Sequence, residues 1–290
     1  MLQAIFKTMR PRQWSKNVFI FAALVFDRQL THYNSLLTCL VGFAVFCLTA
    51  SSVYFINDLL DIEADRQHPR KKFRPIASGQ LSIPRAIAAA IVLLIVAIPI
   101  AYYLSPVFGA IISGYFLLNL AYSKWLKHIP LVDVLVLASD FVLRVAGGVA
   151  LIQVERFSPW LYVCITLLAL YIGFGKRRAE LTLLAGNAHS HRKVLEGYTI
   201  PFLDQLLTIV SSCTIIAYSF YSFSAPNLPA DHTMMLTIPL VLYAIFRYLY
   251  LIQVKHEGGA PEELLYTDHP LQISLGLWGM AVIAVFYFNI

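Results

Sequence analysis

Asn57, Asp58, Asp61 and Asp65 place four side-chain oxygen donors in register within nine positions of this chain, in the stretch NDLLDIEAD. The aspartates are spaced by three and then four, which on a helix puts them on one face with Asn57 beside them. Three carboxylates on one face repel unless a cation sits between them. Hard cations such as Mg²⁺ take oxygen ligands, commonly one or two carboxylates completed by substrate phosphates. A basic run follows at once: Arg66, Arg70, Lys71, Lys72 and Arg74. Acid for a metal beside base for phosphate is what an enzyme acting on a diphosphate needs. A polar helix end followed by a positive loop accounts for the basic residues, but it leaves three in-phase aspartates unexplained.

The elements that must position these groups are apolar. Of 290 residues 59% are hydrophobic and 13% charged, about half the charged share of a soluble domain. The expected fold is therefore all-α: a polytopic membrane bundle of about nine transmembrane helices, folded as one catalytic domain over 1–290. The spans are expected at 14–27, 35–57, 83–104, 106–123, 131–152, 158–175, 201–223, 233–253 and 271–289. Breaks carry turn chemistry at Ser105-Pro106, Ile129-Pro130, Ser158-Pro159, Pro226 to Pro229 and Pro270. The first span is the weakest, with only Val18–Phe26 continuously apolar, and suits a tilted or interfacial segment. It reads as a retained helix, since no small-x-small cleavage site follows it. With a cytoplasmic N-terminus, 18 of the 22 Lys and Arg residues fall on the cytoplasmic side. Loops 58–82, 176–200 and 254–270 then all face the cytoplasm, and polar chemistry belongs to that face of the inner (cell) membrane. The net charge of +6 is explained by these loops, so no nucleic-acid partner is implied. Cys39, Cys47, Cys164 and Cys213 lie in apolar runs without metal or redox spacing.

Further constellations sit on the same face. At the end of span 6, GFGKRRAEL places Lys176 and Glu180 four apart, with Arg177 and Arg178 beside them. The loop alone suits an ordinary cytoplasmic anchor equally well. Its place after span 6 matches that of NDLLDIEAD after span 2, which hints at a duplicated four-helix plan. RPRQWSKN (10–17), taken alone, reads as an interfacial anchor. Span 5 holds Asp133, Asp140 and Arg144 on one face. Asp140–Arg144 reads as a structural ion pair, and Asp133, preceded by Tyr122, Lys124 and Lys127, suits the site. HRKVLEGYT adds Arg192, Lys193, Glu196 and Tyr198. His256, His269, Glu262 and Glu263 have no metal-ligand spacing, and there is no Ser-His-Asp set, P-loop or GxGxxG.

The NDxxDxxxD motif closing the second of nine spans resembles the UbiA superfamily of intramembrane prenyltransferases, and the likeness covers the whole chain. Members of that superfamily bind a prenyl diphosphate through Mg²⁺ at two aspartate-rich motifs, after spans 2 and 6. Here the second is replaced by Lys176-Arg177-Arg178-Ala179-Glu180. That departure, with RPRQWSKN, NDLLDIEADRQHPRKKFRPIASG, LRVAGGVA, GKRRAEL and RKVLEGYT, is similar to the phosphoribosyltransferase branch of the superfamily.

The resemblance implies transfer of 5-phosphoribosyl from phosphoribosyl diphosphate to a polyprenyl, decaprenyl-like phosphate, Mg²⁺-dependent, supplying arabinan-type cell-wall precursors. Asn57, Asp58, Asp61 and Asp65 would hold the Mg²⁺. Arg66, Lys71, Arg74, Lys176 and Arg177 would bind phosphates. Glu180 would orient a cation or the ribose, and Lys16 would reach the lipid phosphate. Tyr122, Asp133, Arg192 and Tyr198 would complete the substrate site. A homo-oligomer in the lipid bilayer is compatible with this reading. Two alternatives share parts of the pattern: an ordinary prenyltransferase with an aromatic acceptor, and a membrane carrier of lipid phosphates.

Overall fold

The computed structural model describes all residues except 69–70, 153, 155–157, 185–192, 226–227, 258–263, 265–266 and 289–290. Every regular element among the described residues is helical. The chain divides into two compact units. Met1–Val25, Gln29–Lys127 and Leu143–Val154 form the first; Phe26–Arg28, His128–Val142 and Glu155–Ile290 form the second.

In the first unit α1 (Leu2–Met9) leads into a 3₁₀ run, Pro11–Phe21, and the short α2 (Ala22–Phe26). The 28-residue α3 (Tyr33–Leu60) runs through the middle, buried along much of its length. After it come α4 (Ile62–Gln67), a 3₁₀ turn at Lys71–Phe73, α5 (Ile83–Leu104) and α6 (Pro106–Lys124). The sequence of α5 explains its packing. Ala86, Ala90, Ala97 and Ala101 recur on one stripe and are buried, so α3 approaches closely. Ser52 of α3 uses that proximity to donate to the Ala90 carbonyl at 3.0 Å. Ile87, Ile91 and Ile95 are exposed, as lipid-facing side chains require. On α6 the buried stripe is Phe108, Ile112, Tyr115, Asn119 and Ser123.

The second unit is built on α8 (Pro159–Leu184), α9 (Ile200–Ser224), α10 (Ile238–Gln253) and α11 (His269–Ile283), with 3₁₀ turns at Lys193–Gly197 and Thr233–Thr237. Tyr171, Phe174, Leu203, Leu207, Tyr248 and Ile252 form much of its core. Gly173 and Gly175 permit this packing without breaking α8. A β-carbon at 175 would lie 2.6 Å from Ile252 Cδ1, and one at 173 would lie 2.6 Å from Val134 Cγ1. The helix α7 (Val132–Leu151) contributes its first half to the second unit and its last half to the first.

Among the described residues eight helices are long and apolar enough to cross a membrane, which makes this a multi-pass membrane protein. They match eight of the nine expected spans. The first expected span, 14–27, is instead the 3₁₀ run passing into α2. Tertiary contacts hold that run: Trp14 donates to Ser51 Oγ at 3.1 Å, and Asn17 donates to Cys47 Sγ at 3.3 Å. A short apolar stretch anchored by polar side chains needs no full-length helix. The breaks behave as their sequences imply. Ser105, Thr199 and Asp268 each cap a helix whose first turn carries proline.

Candidate active site

The acidic motif lies entirely in the first unit. Asn57 and Asp58 close α3, but the helix stops at Leu60. Asp61 sits at the corner with φ −97° and ψ 10°, and α4 then carries Asp65. The single helical face expected from the spacing is therefore interrupted at Asp61. Its amide still bonds the Asn57 carbonyl, and its own carbonyl accepts from Asp65, so the two helices join with little offset.

The corner separates the aspartates into two environments. Asp58 and Asp65 are each 2% exposed, whereas the Asp61 side chain is 40% exposed. Arg74, just past the Lys71–Phe73 turn, bridges the buried pair. Its Nη1 lies 2.6 Å from Asp65 Oδ2 and 3.1 Å from Asp58 Oδ1. Arg10 makes a second ion pair to Asp58 and lies over the Tyr54 ring at 4.9 Å. Lys127, beyond the end of α6, meets Asp61 at 2.8 Å, and Ser123 of α6 donates to the Asn57 side chain. Two buried carboxylates are thus matched by guanidinium groups, as burial of charge demands.

Could this set hold a metal? Among the described residues no three His, Cys, Asp or Glu side chains converge on one point. Two carboxylates do, since one nitrogen of Arg74 touches both, and the side-chain oxygens of Asn57 and Asp61 stand on the adjoining turn. These are hard oxygen donors, and two carboxylates completed by substrate oxygens is an arrangement Mg²⁺ accepts.

The remaining expected phosphate ligands are placed less closely. Arg66 is exposed and pairs with Glu63 at 2.9 Å, while its Nε reaches the Ala77 carbonyl at 3.4 Å. Lys71 is exposed on its turn; Lys16, in the 3₁₀ run, and Tyr122, on α6, are half-buried. Arg70, Arg192, Glu262 and Glu263 lie outside the described residues.

The second cluster lies in the second unit. Arg177, on α8, is fully buried; its Nε donates to Asp133 at 2.6 Å and its Nη1 to Glu180 at 2.6 Å. Tyr198 donates to the other oxygen of Asp133 at 2.6 Å and accepts from the Leu131 amide at 2.6 Å. Burial, reinforced by the bond to Asp133, pushes the Tyr198 phenol well above its ordinary value, so it remains a neutral donor. Arg178 faces the other way, to Asp204 at 2.6 Å and the Ile252 carbonyl at 2.9 Å, tying α8 to α9 and α10. A run that is strongly basic in sequence is therefore nearly neutral in place. Arg177 and Arg178 are matched by Asp133, Glu180 and Asp204, and Lys176, half-buried, makes no ion pair among the described residues. Deeper in α7, buried Arg144 donates to Asn17 at 2.8 Å and to the Tyr115 hydroxyl at 3.1 Å.

Sequence reasoning missed Arg10 and Lys127 as partners of the aspartates, and Asp204 as the partner of Arg178. The pairs are separated by 48, 66 and 26 residues, so no local spacing announces them. The one available signal was that RPRQWSKN carries more polar residues than an interfacial anchor needs.

Known proteins are similar to this chain over nearly its whole length. The decaprenyl-phosphate phosphoribosyltransferase of Corynebacterium glutamicum is 32% identical over 288 residues, 97% of this chain and 86% of that one. The protein of the same name from Mycolicibacterium smegmatis is 32% identical over 301 residues, covering 100% and 94%. A UbiA homolog from Archaeoglobus fulgidus, solved bound to GPP and Mg²⁺, matches 98% of this chain and 99% of its own at a TM-score of 0.75; at 20% identity this likeness concerns the fold. Residues 18–267, which include Asn57–Asp65 and Lys176–Glu180, match the UbiA prenyltransferase family, and the chain belongs to that family.

Proposed function

We propose that this protein transfers 5-phosphoribosyl from phosphoribosyl diphosphate to a polyprenyl phosphate and releases pyrophosphate. The observation that carries the reading is the likeness, over 97–100% of the chain, to two proteins named for that transfer. The acidic cluster supports it, because buried carboxylates and guanidinium groups interleave there as a metal-bound diphosphate requires.

Asp58 and Asp65, assisted by Asn57 and Asp61, are the residues suited to hold Mg²⁺. When bound, Mg²⁺ supplies charge neutralisation to the leaving pyrophosphate. The chain's own groups do the rest. Arg74, with Arg66 and Lys71 at the rim, binds phosphate oxygens through charge-assisted hydrogen bonds. In the second unit, Lys176 is a cation suited to bind a phosphate. Arg177, locked by Asp133 and Tyr198, fixes the Glu180 carboxylate, which is suited to orient ribose hydroxyls. Lys16 reaches toward the lipid phosphate. The reaction breaks the C1–O bond to pyrophosphate and forms a C1–O bond to the lipid phosphate. That nucleophile is already anionic, so no strong general base is needed. The basic loops support the reading that this chemistry faces the cytoplasm at the cell membrane.

The test uses purified protein in detergent with Mg²⁺ and radiolabelled phosphoribosyl diphosphate. One arm offers a long polyprenyl phosphate; a parallel arm offers a prenyl diphosphate with 4-hydroxybenzoate. Label entering an acid-labile, organic-extractable lipid is expected. Prenylation of the aromatic acid alone would overturn the assignment in favour of an ordinary prenyltransferase.

A further inference from the structure

The acidic cluster is electrically matched by the chain itself. Arg10 and Arg74 meet Asp58, Arg74 meets Asp65, and Lys127 meets Asp61. Three carboxylates face three cations. A divalent cation arriving alone would have to displace guanidinium groups from buried carboxylates and strand them beside a doubly positive ion. A cation arriving on a diphosphate brings its own replacement partners, because the phosphate oxygens re-pair the displaced arginines.

Arg10 is built into place for such a role. It adopts the left-handed conformation, φ 53° and ψ 61°, immediately before Pro11, a conformation that non-glycine residues rarely take and that surrounding structure must enforce. The enforcing contacts are all present. The Arg10 amide bonds the Lys7 carbonyl at 3.3 Å, and Ser51 Oγ accepts from Trp14 and shares its proton between the carbonyls of Cys47 at 2.7 Å and Met9 at 3.1 Å. Asn17 joins Cys47 and Arg144. An interfacial anchor would not need its guanidinium aimed at a carboxylate that is 2% exposed.

We propose that Arg10 and Arg74 are resident counter-ions of Asp58 and Asp65, and that their exchange onto phosphate makes the site take a divalent cation together with a diphosphate rather than alone. This rests on reading the acidic cluster as the metal–diphosphate end of the site. The state able to bind metal alone is the one with the arginines swung away. Affinity for metal alone is reduced by that state's small population, a cost removed when phosphate captures the guanidinium groups. By linkage, removing an arginine must then strengthen binding of metal alone while weakening binding of metal with diphosphate.

Opposite signs are the fingerprint, since a structural role would weaken both. The experiment measures Mn²⁺ binding by electron paramagnetic resonance, without substrate, for wild type, Arg10→Gln, Arg74→Gln and Arg10→Lys. Radiolabelled pyrophosphate binding in saturating Mg²⁺ is measured on the same samples. Both arginine side chains are partly exposed, 29% and 27%, so glutamine is accommodated, and Arg10→Lys keeps the charge. Each glutamine variant is expected to bind Mn²⁺ more tightly, within the roughly 5- to 150-fold range of coupled ligands, and to bind Mg²⁺-pyrophosphate correspondingly more weakly. Arg10→Lys is expected to stay near wild type. Glutamine variants that bind Mn²⁺ no more tightly than wild type would overturn the proposal. The Mn²⁺ arm contains neither ribose nor lipid. A protein that shows the opposite shifts but moves no phosphoribosyl group would lose the transferase reading and keep the exchange.

Discussion

Replacing Arg177 with glutamine strands a carboxylate in the protein interior. Asp133 is fully buried and receives two short hydrogen bonds, from Arg177 Nε at 2.6 Å and Tyr198 at 2.6 Å. With the guanidinium gone, only the neutral phenol and nearby dipoles remain to stabilise the charge. Breaking a buried pair from one side typically costs about 3–5 kcal/mol. At roughly 2–4 °C per kcal/mol for a chain of this size, the melting temperature should fall on the order of 10 °C. Glu180 sets the scale from the other side. It is 23% exposed, so Glu180→Gln loses a pair that water partly replaces, worth no more than about 1 kcal/mol. The double variant Asp133→Asn/Arg177→Gln removes both members of the fully buried pair, so no carboxylate is stranded at 133, and should recover at least about half of the loss. Tryptophan-fluorescence melts in one detergent at one scan rate read all four proteins. A melt for Arg177→Gln within about 1 °C of wild type, or a double variant no better than the single, would refute the view that Arg177 is first a partner of Asp133.

Gly148→Ala would place a β-carbon 2.0 Å from the Ile20 carbonyl oxygen, so an overpacking loss of about 1–3 kcal/mol is expected in the same melts. Gly114→Ala, with nothing within 4 Å of the new methyl group, should be neutral or slightly stabilising. The Arg247 guanidinium, paired with Asp268 at 2.8 Å, holds that carboxyl below the usual range. A lowered folded value means the contribution is present above the unfolded value of about 3.9 and lost as pH falls through the folded one. Between pH 6 and 3 the wild-type melt should therefore drop more steeply than that of Arg247→Met; parallel slopes would count against the pair. Trp14→Phe removes the donor to Ser51 and should loosen the Pro11–Phe21 run, seen as faster amide exchange there while α9 is unchanged.

Much of this architecture is legible in the sequence because the membrane imposes strict rules. Apolar run lengths and prolines locate eight spans. The first span is the exception. Nine apolar residues beside a polar motif leave it undetermined whether the segment lies in the interface or is tied down by tertiary contacts. The acidic motif is legible as chemistry but not as geometry. Nothing at Leu60–Ile62 signals a corner, since neither glycine nor proline stands there, yet that corner separates half-buried Asp61 from fully buried Asp58 and Asp65. Charge was the most misleading guide. Lys176-Arg177-Arg178 reads as a basic site, but its arginines are matched by Asp133, 44 residues earlier, and Asp204, 26 later. Sequence shows the charges of one segment, and folding decides which of them remain for a substrate.

The central claim, that the Asp58–Asp65 pair drives a metal-dependent phosphoribosyl transfer, has a direct test. It is the rate of labelled lipid formation from phosphoribosyl diphosphate and polyprenyl phosphate in Mg²⁺, compared among wild type, Asp65→Asn and Glu63→Gln. Glu63 lies two residues away on the same helix, is exposed, and pairs only with Arg66 among the described residues. Asp65→Asn is expected to lose at least about a hundredfold in rate, in line with removing a group that stabilises transition-state charge, while Glu63→Gln stays within about twofold. Wild-type turnover in Asp65→Asn, or equal losses in both variants, would contradict the assignment.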